Sequence, residues 1–296
     1  MSISTELENY LLENEHLSTI TLRTYKLNYE KLTDLLGSDT INDIPQTEII
    51  KIVEAQIPNP NSKIMLINVA MNIKKHLNNR IELLTKYRET LKLEINHSKN
   101  IRKDLKKDSV VSYKELLRYL NKLYVDEEWR AYIINYLLIH FNVRNRDIDL
   151  LIVQDKSDYS SFGLKGDENV VYVGSKNLYY RNNYKTVKMY GPKKIGFNSR
   201  KFSRAVEKFI AQQNPENGIT YLLSDKNNNR IGSDSLGNFI KKYTLNKMNE
   251  SDYNKISVSR VKSLDDYKLL QTISKNRGTA IETLISDYNL NIKLDE

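Results

Sequence analysis

The sequence predicts a mainly α-helical protein with one small antiparallel β-sheet, an α+β fold. Two observations predict the helices. Only 10 glycines and 5 prolines occur among 296 residues, and apolar residues recur at three- and four-residue spacing through most of the chain. One observation predicts the sheet. NVVYVGSKNLYYR and KKIGF are rich in β-branched and aromatic residues, and the turn-forming stretch MYGPKK lies between them. The length fits one large domain or two ordinary ones, and 40% hydrophobic residues is enough to build cores.

The first third reads as five helices. LENYLLENE is short and amphipathic. STITLRTYKLNYEKLTDLLG carries a stripe of Leu22, Tyr25, Tyr29, Leu32 and Leu36, with Ser18 or Thr19 as N-cap and Gly37 as stop. QTEIIKIVEAQ follows and is closed by Pro58 and Pro60. NSKIMLINVAMNIKKHL gathers Ile64, Met65, Ile67, Ala70 and Met71 on one face, and RIELLTKYRETLKLEI completes a helical bundle over 1–97. SKNIRKDLKKDS, 98–109, reads as a basic linker with Lys99, Arg102, Lys103, Lys106 and Lys107. Those charges serve equally as a solvated connector or as contacts to a phosphate backbone.

A second domain spans 110–296. Ser112 and Glu115 form the pattern of a capping box before SYKELLRYLNKLY. EEWRAYIINYLLIHFNV reads as a mostly buried helix with Trp129 in the core. After the sheet, helices resume at SRKFSRAVEKFIAQQ and SDSLGNFIKKYTLNKM, then near SVSRVKSLDDYKLLQTIS and TAIETLISDY. There are no internal repeats, and NNNR at 227–230 reads as a turn.

Composition narrows the function. No apolar run has membrane-spanning length. MSISTELENY lacks the basic and apolar regions of a signal peptide. There are no cysteines, which excludes disulfides and Cys-based zinc sites. His16, His76, His97 and His140 are too scattered for ligand spacing, so neither a metal nor a cofactor is expected. The net charge of +9 suits a polyanionic partner such as nucleic acid. It suits equally an ordinary basic protein of an AT-rich genome.

Four features near element ends carry chemistry when taken in order. In FNVRNRDIDL, Arg144 follows a buried helix and Asp147 comes three residues later. The carboxylate can bind the guanidinium or cap the next helix. SVSR ends in Arg260, before a helix. Gly278-Thr279 follows, and then Tyr288 on a short helix. Alone, each is weak: the plainer reading of Arg144 with Asp147 is a structural salt bridge, and that of Tyr288 is a core aromatic, one of 20 tyrosines. Together they supply the parts of phosphoryl transfer from DNA. A tyrosine attacks a phosphodiester, two guanidinium forks neutralise the transition state, and a lysine protonates the leaving oxygen.

This ordered set resembles the tyrosine recombinase (phage integrase) family over most of the chain. LSTITLRTYKLNYEKLTDLLG resembles part of that family's helical core-binding domain, so the resemblance implies a DNA-binding N-terminal domain and a C-terminal catalytic domain. FNVRNRDIDL resembles G-L-R-x-x-E-L, which makes Arg144 the first catalytic arginine. YKTVKMYGPKKIGF resembles the hairpin that carries the catalytic lysine, with Lys185 favoured over Lys188, Lys193 and Lys194; Lys193 and Lys194 are then DNA contacts. SVSR resembles H-x-L-R, which makes Arg260 the second arginine and puts Ser257 at the histidine position. RGTAIETLISDY resembles L-G-H-x(8)-Y, with Thr279 at the second histidine position and Tyr288 as nucleophile. Both imidazoles are therefore replaced, and Arg277 is a candidate positive donor in their place. The spacing from Arg260 to Tyr288 is short for the family.

The resemblance implies a site-specific recombinase or integrase working through a 3′-phosphotyrosyl intermediate. It implies double-stranded DNA as partner, a homo-tetramer on that DNA, no membrane, and an intracellular location in cytoplasm or, in a eukaryotic host, nucleus, with a mobile element or virus as a compatible source. The alternatives are type IB topoisomerase-like nicking and resealing, and a non-catalytic DNA-binding protein that keeps the fold.

Overall fold

The structure is a computed structural model. It describes residues 5–14, 17, 19–107, 111–154, 166–174, 177–215, 218–225, 227–232, 235–261 and 266–289; the side chains of Thr19 and of residues 102–107 are outside that description. The chain forms two compact units, one ending at Arg102 and one beginning at Lys103. Among the described residues, no helix is long and apolar enough to cross a membrane.

The first unit holds α1 (Thr5–Glu13), α2 (Thr19–Leu36), α3 (Gln46–Gln56) and α4 (Pro60–His76), together with most of α5 (Glu82–Lys107). Gly37 ends α2 with a φ of 62°, a conformation open to glycine at little cost. Asn59 caps α4 by accepting from the Asn61 and Ser62 amides, and Pro60 takes the first helical position, where no amide hydrogen is needed. The stripe anticipated on α2 is buried at Tyr29 and Leu32, which pack with Leu7, Ile49, Val53, Leu66, Ile67 and Ala70. Each leucine, isoleucine or valine among them contributes roughly 1.5–3 kcal/mol by leaving water. Helix α5 continues through Lys107 and so takes in most of the span read as a linker. Lys99 is half-buried on it, whereas the side chains of Arg102, Lys103, Lys106 and Lys107 lie outside the described residues.

The second unit begins with α6 (Tyr113–Val125), where the expected capping box forms: the Glu115 amide donates to Ser112 Oγ at 3.2 Å and the Ser112 amide to Glu115 Oε2 at 2.6 Å. Helix α7 (Trp129–His140) is buried along most of its length, with Trp129 in the core against Tyr124. A one-turn helix α8 (Asn145–Ile148) leads into the sheet. The strands are β1 (Leu150–Gln154), β2 (Asn169–Val173), β3 (Leu178–Arg181), β4 (Lys193–Gly196) and β5 (Ile219–Tyr221), in the order β4-β3-β2-β1-β5.

The fold class is the expected one, α+β, but the sheet is mixed and not wholly antiparallel. Strands β1 and β2 run parallel, while every other neighbouring pair is antiparallel. Leu150 and Ile152 face the core shared with α7 and α10 (Arg200–Gln213), whereas Leu151 and Val153 face a smaller cluster with Tyr172, Tyr180 and Tyr221. Buried on both sides, β1 reads as LLIV with no alternation to reveal it.

Two further differences lie near the candidate residues. Within the stretch that resembles a lysine-bearing hairpin, TVKMY forms a turn and a short helix α9 (Val187–Tyr190), ended by Gly191. SVSR does not open a helix. Ser257 and Val258 end α12 (Glu250–Val258), after α11 (Leu236–Lys241), and Arg260 sits in the turn that follows. Helices α13 (Tyr267–Arg277) and α14 (Ile281–Tyr288) finish the unit, packed with α12 through Val258, Val261, Leu270, Ile273 and Leu284.

Candidate active site at the end of helix α13

The last carbonyls of a helix have no partner within it. At the end of α13, four successive carbonyls each find one on another element. Lys193 Nζ donates to Lys275 O, and Arg181 Nη1 to Asn276 O. Arg144 Nη1 donates to Arg277 O at 2.8 Å, and Thr186 Oγ1 to Gly278 O at 3.1 Å. Arg144 Nη2 also donates to Thr279 Oγ1 at 2.7 Å. The negative end of the helix dipole attracts these cations, and they arrive from α8, β3 and β4, elements far apart in the chain.

Gly278 makes the junction possible. Its φ is 63°, and a Cβ there would stand 2.6 Å from Thr186 Oγ1 and 3.3 Å from the Tyr184 ring. Any side chain would be both strained and obstructed. The turn leads directly into α14, so the same glycine that closes the cation cluster sets the course of the helix ending in Tyr288.

Arg144 is held by its own backbone. Its amide donates to Asp147 Oδ2 at 2.9 Å, so the carboxylate caps α8. The guanidinium that Asp147 binds belongs to Arg181, at 2.6 Å, with both side chains wholly buried. Burial raises the Asp147 pKa, against the lowering effects of Arg181, the Arg144 amide and the Arg144 charge. Burial and then the Arg277 charge lower the proton affinity of Arg144; Asp147, Glu250 and the Tyr288 hydroxyl act the other way.

Arg277 is 2% exposed and binds Glu250 Oε1 at 2.6 Å. Its guanidinium lies 5.2 Å from the centre of the Tyr288 ring. Tyr288 is half-buried on the cluster around Leu284. Next to it, Asn289 is buried and donates to Val258 O and Val261 O, fixing the end of α14.

The sequence candidates fall into two groups. Arg144, Thr279 and Lys193 meet at the Gly278 turn, and Tyr288 lies at the end of the next helix. Arg260 is exposed, with its guanidinium 3.8 Å from the centre of the Tyr113 ring. It also lowers the proton affinity of His140, after the larger effect of burial. Ser257 is 2% exposed, and its Oγ has no hydrogen-bond partner. Lys185 is exposed in the turn before α9, and Lys188 is exposed on α9. Lys194 is exposed on β4, its ammonium 5.5 Å from the Tyr180 ring.

Lys193 differs from the other hairpin lysines. It is half-buried, near the rings of Tyr184 and Tyr190 at 5.2 and 5.5 Å. Burial first, then the Arg181 charge, lowers its pKa to about 8, with smaller contributions from Arg144 and Lys275 and an opposing one from Asp147. Arg181, Thr186 and Glu250 had no signal in the sequence, because each gains its meaning from a partner at least 27 residues away. Among the described residues, no group of three or more His, Cys, Asp or Glu side chains could hold a metal ion.

No family model matches the chain, and no curated protein does. A solved structure described as the crystal structure of XerA recombinase is similar at a TM-score of 0.36 and 13% identity, over 96% of this chain and 92% of that one.

Proposed function

We propose that the protein cleaves and rejoins duplex DNA through a covalent bond to Tyr288, as a site-specific recombinase or integrase. The observation that carries this reading is the convergence of Arg144, Lys193 and Thr279 on the Gly278 turn, which leads into the helix ending in Tyr288, whose ring lies 5.2 Å from the Arg277 guanidinium. In the proposed step, Tyr288 Oη attacks the phosphorus and gives its proton to solvent. The bond from phosphorus to the 5′ oxygen breaks, and that oxygen takes a proton from Lys193. The phosphate stays as a diester on tyrosine, so its bond energy is kept for rejoining. Arg144 neutralises the charge that grows on the non-bridging oxygens.

Lys193 suits the proton donor better than Lys185. A donor works best with a pKa near the working pH, and burial beside Arg181 brings Lys193 to about 8. Thr279 offers a hydroxyl where the resemblance calls for an imidazole. Double-stranded DNA, and four protomers upon it for exchange, follow from the same reading; relaxation of a duplex by a single protomer is the topoisomerase-like variant.

One observation favours a second reading, a DNA-binding protein without chemistry. The Arg144 and Lys193 donors are already engaged by carbonyls of α13. The deciding experiment uses a duplex carrying a nick beside the scissile phosphate, so that the cut fragment is lost and the adduct accumulates. Wild type should give an adduct stable in denaturant, mapped to Tyr288. Tyr288→Phe should fold and bind DNA yet give none, and Arg144→Ala should lower the rate about a hundredfold or more. Binding without any adduct, on DNA flanking the gene, would leave the binder as the reading.

A further inference from the structure

Strand pairing places two cations face to face beside this site. Arg181 on β3 is the direct cross-strand partner of Lys193 on β4. Like charges set opposite each other on a sheet repel, and here both approach one ring, Tyr184, at 4.6 and 5.2 Å. The arrangement is held from outside the sheet. Arg181 is bound by Asp147 and by the carbonyl of Asn276, and Lys193 by the carbonyl of Lys275. Arg181 is wholly buried, so it reaches no substrate.

We propose that Arg181 is a positioning residue for Lys193: clamped between Asp147 and the end of α13, it holds a fixed positive charge beside the lysine's ammonium. The role given to Lys193 rests on the strand-transfer reading above; the effect of Arg181 on Lys193 does not.

The geometry explains why an arginine is used. Its planar fork serves Asp147 and Asn276 together, which a single ammonium does less well. Among the described residues, the charged and titratable groups that act on Lys193 or lie against it are Arg181 opposite, Arg144 and Asp147 at α8, Lys275 from α13, and the Tyr184 and Tyr190 rings. Of the charges, that of Arg181 acts on it most strongly.

The test follows the Lys193 ammonium itself, by nitrogen-detected NMR titration of the full chain, assigned with Lys193→Gln. Wild type should titrate near 8. Arg181→Gln should raise the midpoint by roughly a unit, a tenfold gain in proton affinity, and Arg181→Lys should bring most of it back. Because Arg181→Gln strands a buried carboxylate, the pair Arg181→Met with Asp147→Asn is made in parallel. It should fold, and its midpoint should still rise, since the guanidinium outweighs the carboxylate.

On nicked duplex, the optimum for adduct formation should move upward with the midpoint while duplex affinity stays within about twofold. An unchanged midpoint in the folded double variant overturns the proposal. So does a midpoint raised equally in Arg181→Gln and Arg181→Lys, because charge restored at that position would then do nothing. An absent adduct in wild type, with the midpoint shifting as stated, would overturn the strand-transfer reading and leave the role of Arg181 standing.

Discussion

Arg277 and Arg260 each set a guanidinium over a tyrosine ring, and they do so in opposite surroundings. Arg277 lies over Tyr288 at 5.2 Å, is 2% exposed and is neutralised by Glu250. Arg260 lies over Tyr113 at 3.8 Å on the exposed turn after α12. A cation already taken from water and paired inside the fold is committed to holding structure, because uncovering it would strand its partner. One held against an aromatic face at the surface keeps most of its hydration and can still meet a phosphate. The difference teaches that sequence nearness to Tyr288 does not decide whether an arginine is buried and paired or exposed.

The sharpest way to break the comparison is to delete Arg277. Arg277→Ala leaves Glu250 without its cation and removes the guanidinium from above Tyr288. Stability should fall by about 3 kcal/mol, within the range for breaking a buried pair, as measured by urea unfolding. A loss near zero would mean that Arg277 is no more structural than Arg260. Next in size is Gly278→Ala. The left-handed φ alone costs on the order of 1–3 kcal/mol, and the added Cβ must displace Thr186 Oγ1 from 2.6 Å. The variant should lose about 2 kcal/mol and, with Thr186 and Lys193 moved, most of any adduct formation.

Helices with a clear apolar period were legible: α3 and α4 emerge close to where periodicity and capping residues place them. The capping box of α6 was legible because its two halves are three residues apart. Strand β1 was hidden because burial on both faces removes alternation. The end of α12 lay inside SVSRVKSLDDYKLLQTIS, a stretch read as the neighbourhood of one helix, whereas Val258 and Val261 pack as the last turn and exit of an earlier helix with Leu270 and Leu284. At the site, Gly278 and Thr279 could be picked out from local sequence. Arg181 could not, since nothing in LYYR distinguishes it until β3 pairs with β4 and Asp147 closes on it.

A smaller effect concerns pH. Lys193 titrates near 8 in the folded protein and near its ordinary 10.5 in the unfolded chain. Between those values the unfolded chain binds the extra proton, so stability rises with pH through that window. Below 8 both states are protonated and the term no longer varies, its full cost being present there. Because the lysine is half-exposed, the rise is modest. Lys193→Gln should remove it, seen as a smaller gain in urea midpoint between pH 8 and 10 than wild type shows. An equal gain in both proteins would mean that Lys193 is solvated like Lys194.

The smallest effect on the fold, and the most telling one for function, belongs to Arg260→Ala. An exposed side chain stacked on one ring should cost no more than about 0.5 kcal/mol. Its effect should appear on DNA instead. If Arg260 meets one phosphate, the slope of log affinity against log salt should become shallower by about 0.9 in the variant, while a folded Arg277 variant should keep the wild-type slope. At saturating duplex, Arg260→Ala should retain far more adduct formation than Arg144→Ala, since its guanidinium lies over the Tyr113 ring and not at the Gly278 turn. The opposite result is equally informative. If Arg260→Ala at saturation loses adduct as deeply as Arg144→Ala, the exposed arginine leaves Tyr113 to clamp the same phosphate. The pairing of Arg144 with Arg260 suggested by the order of motifs would then hold in the DNA complex.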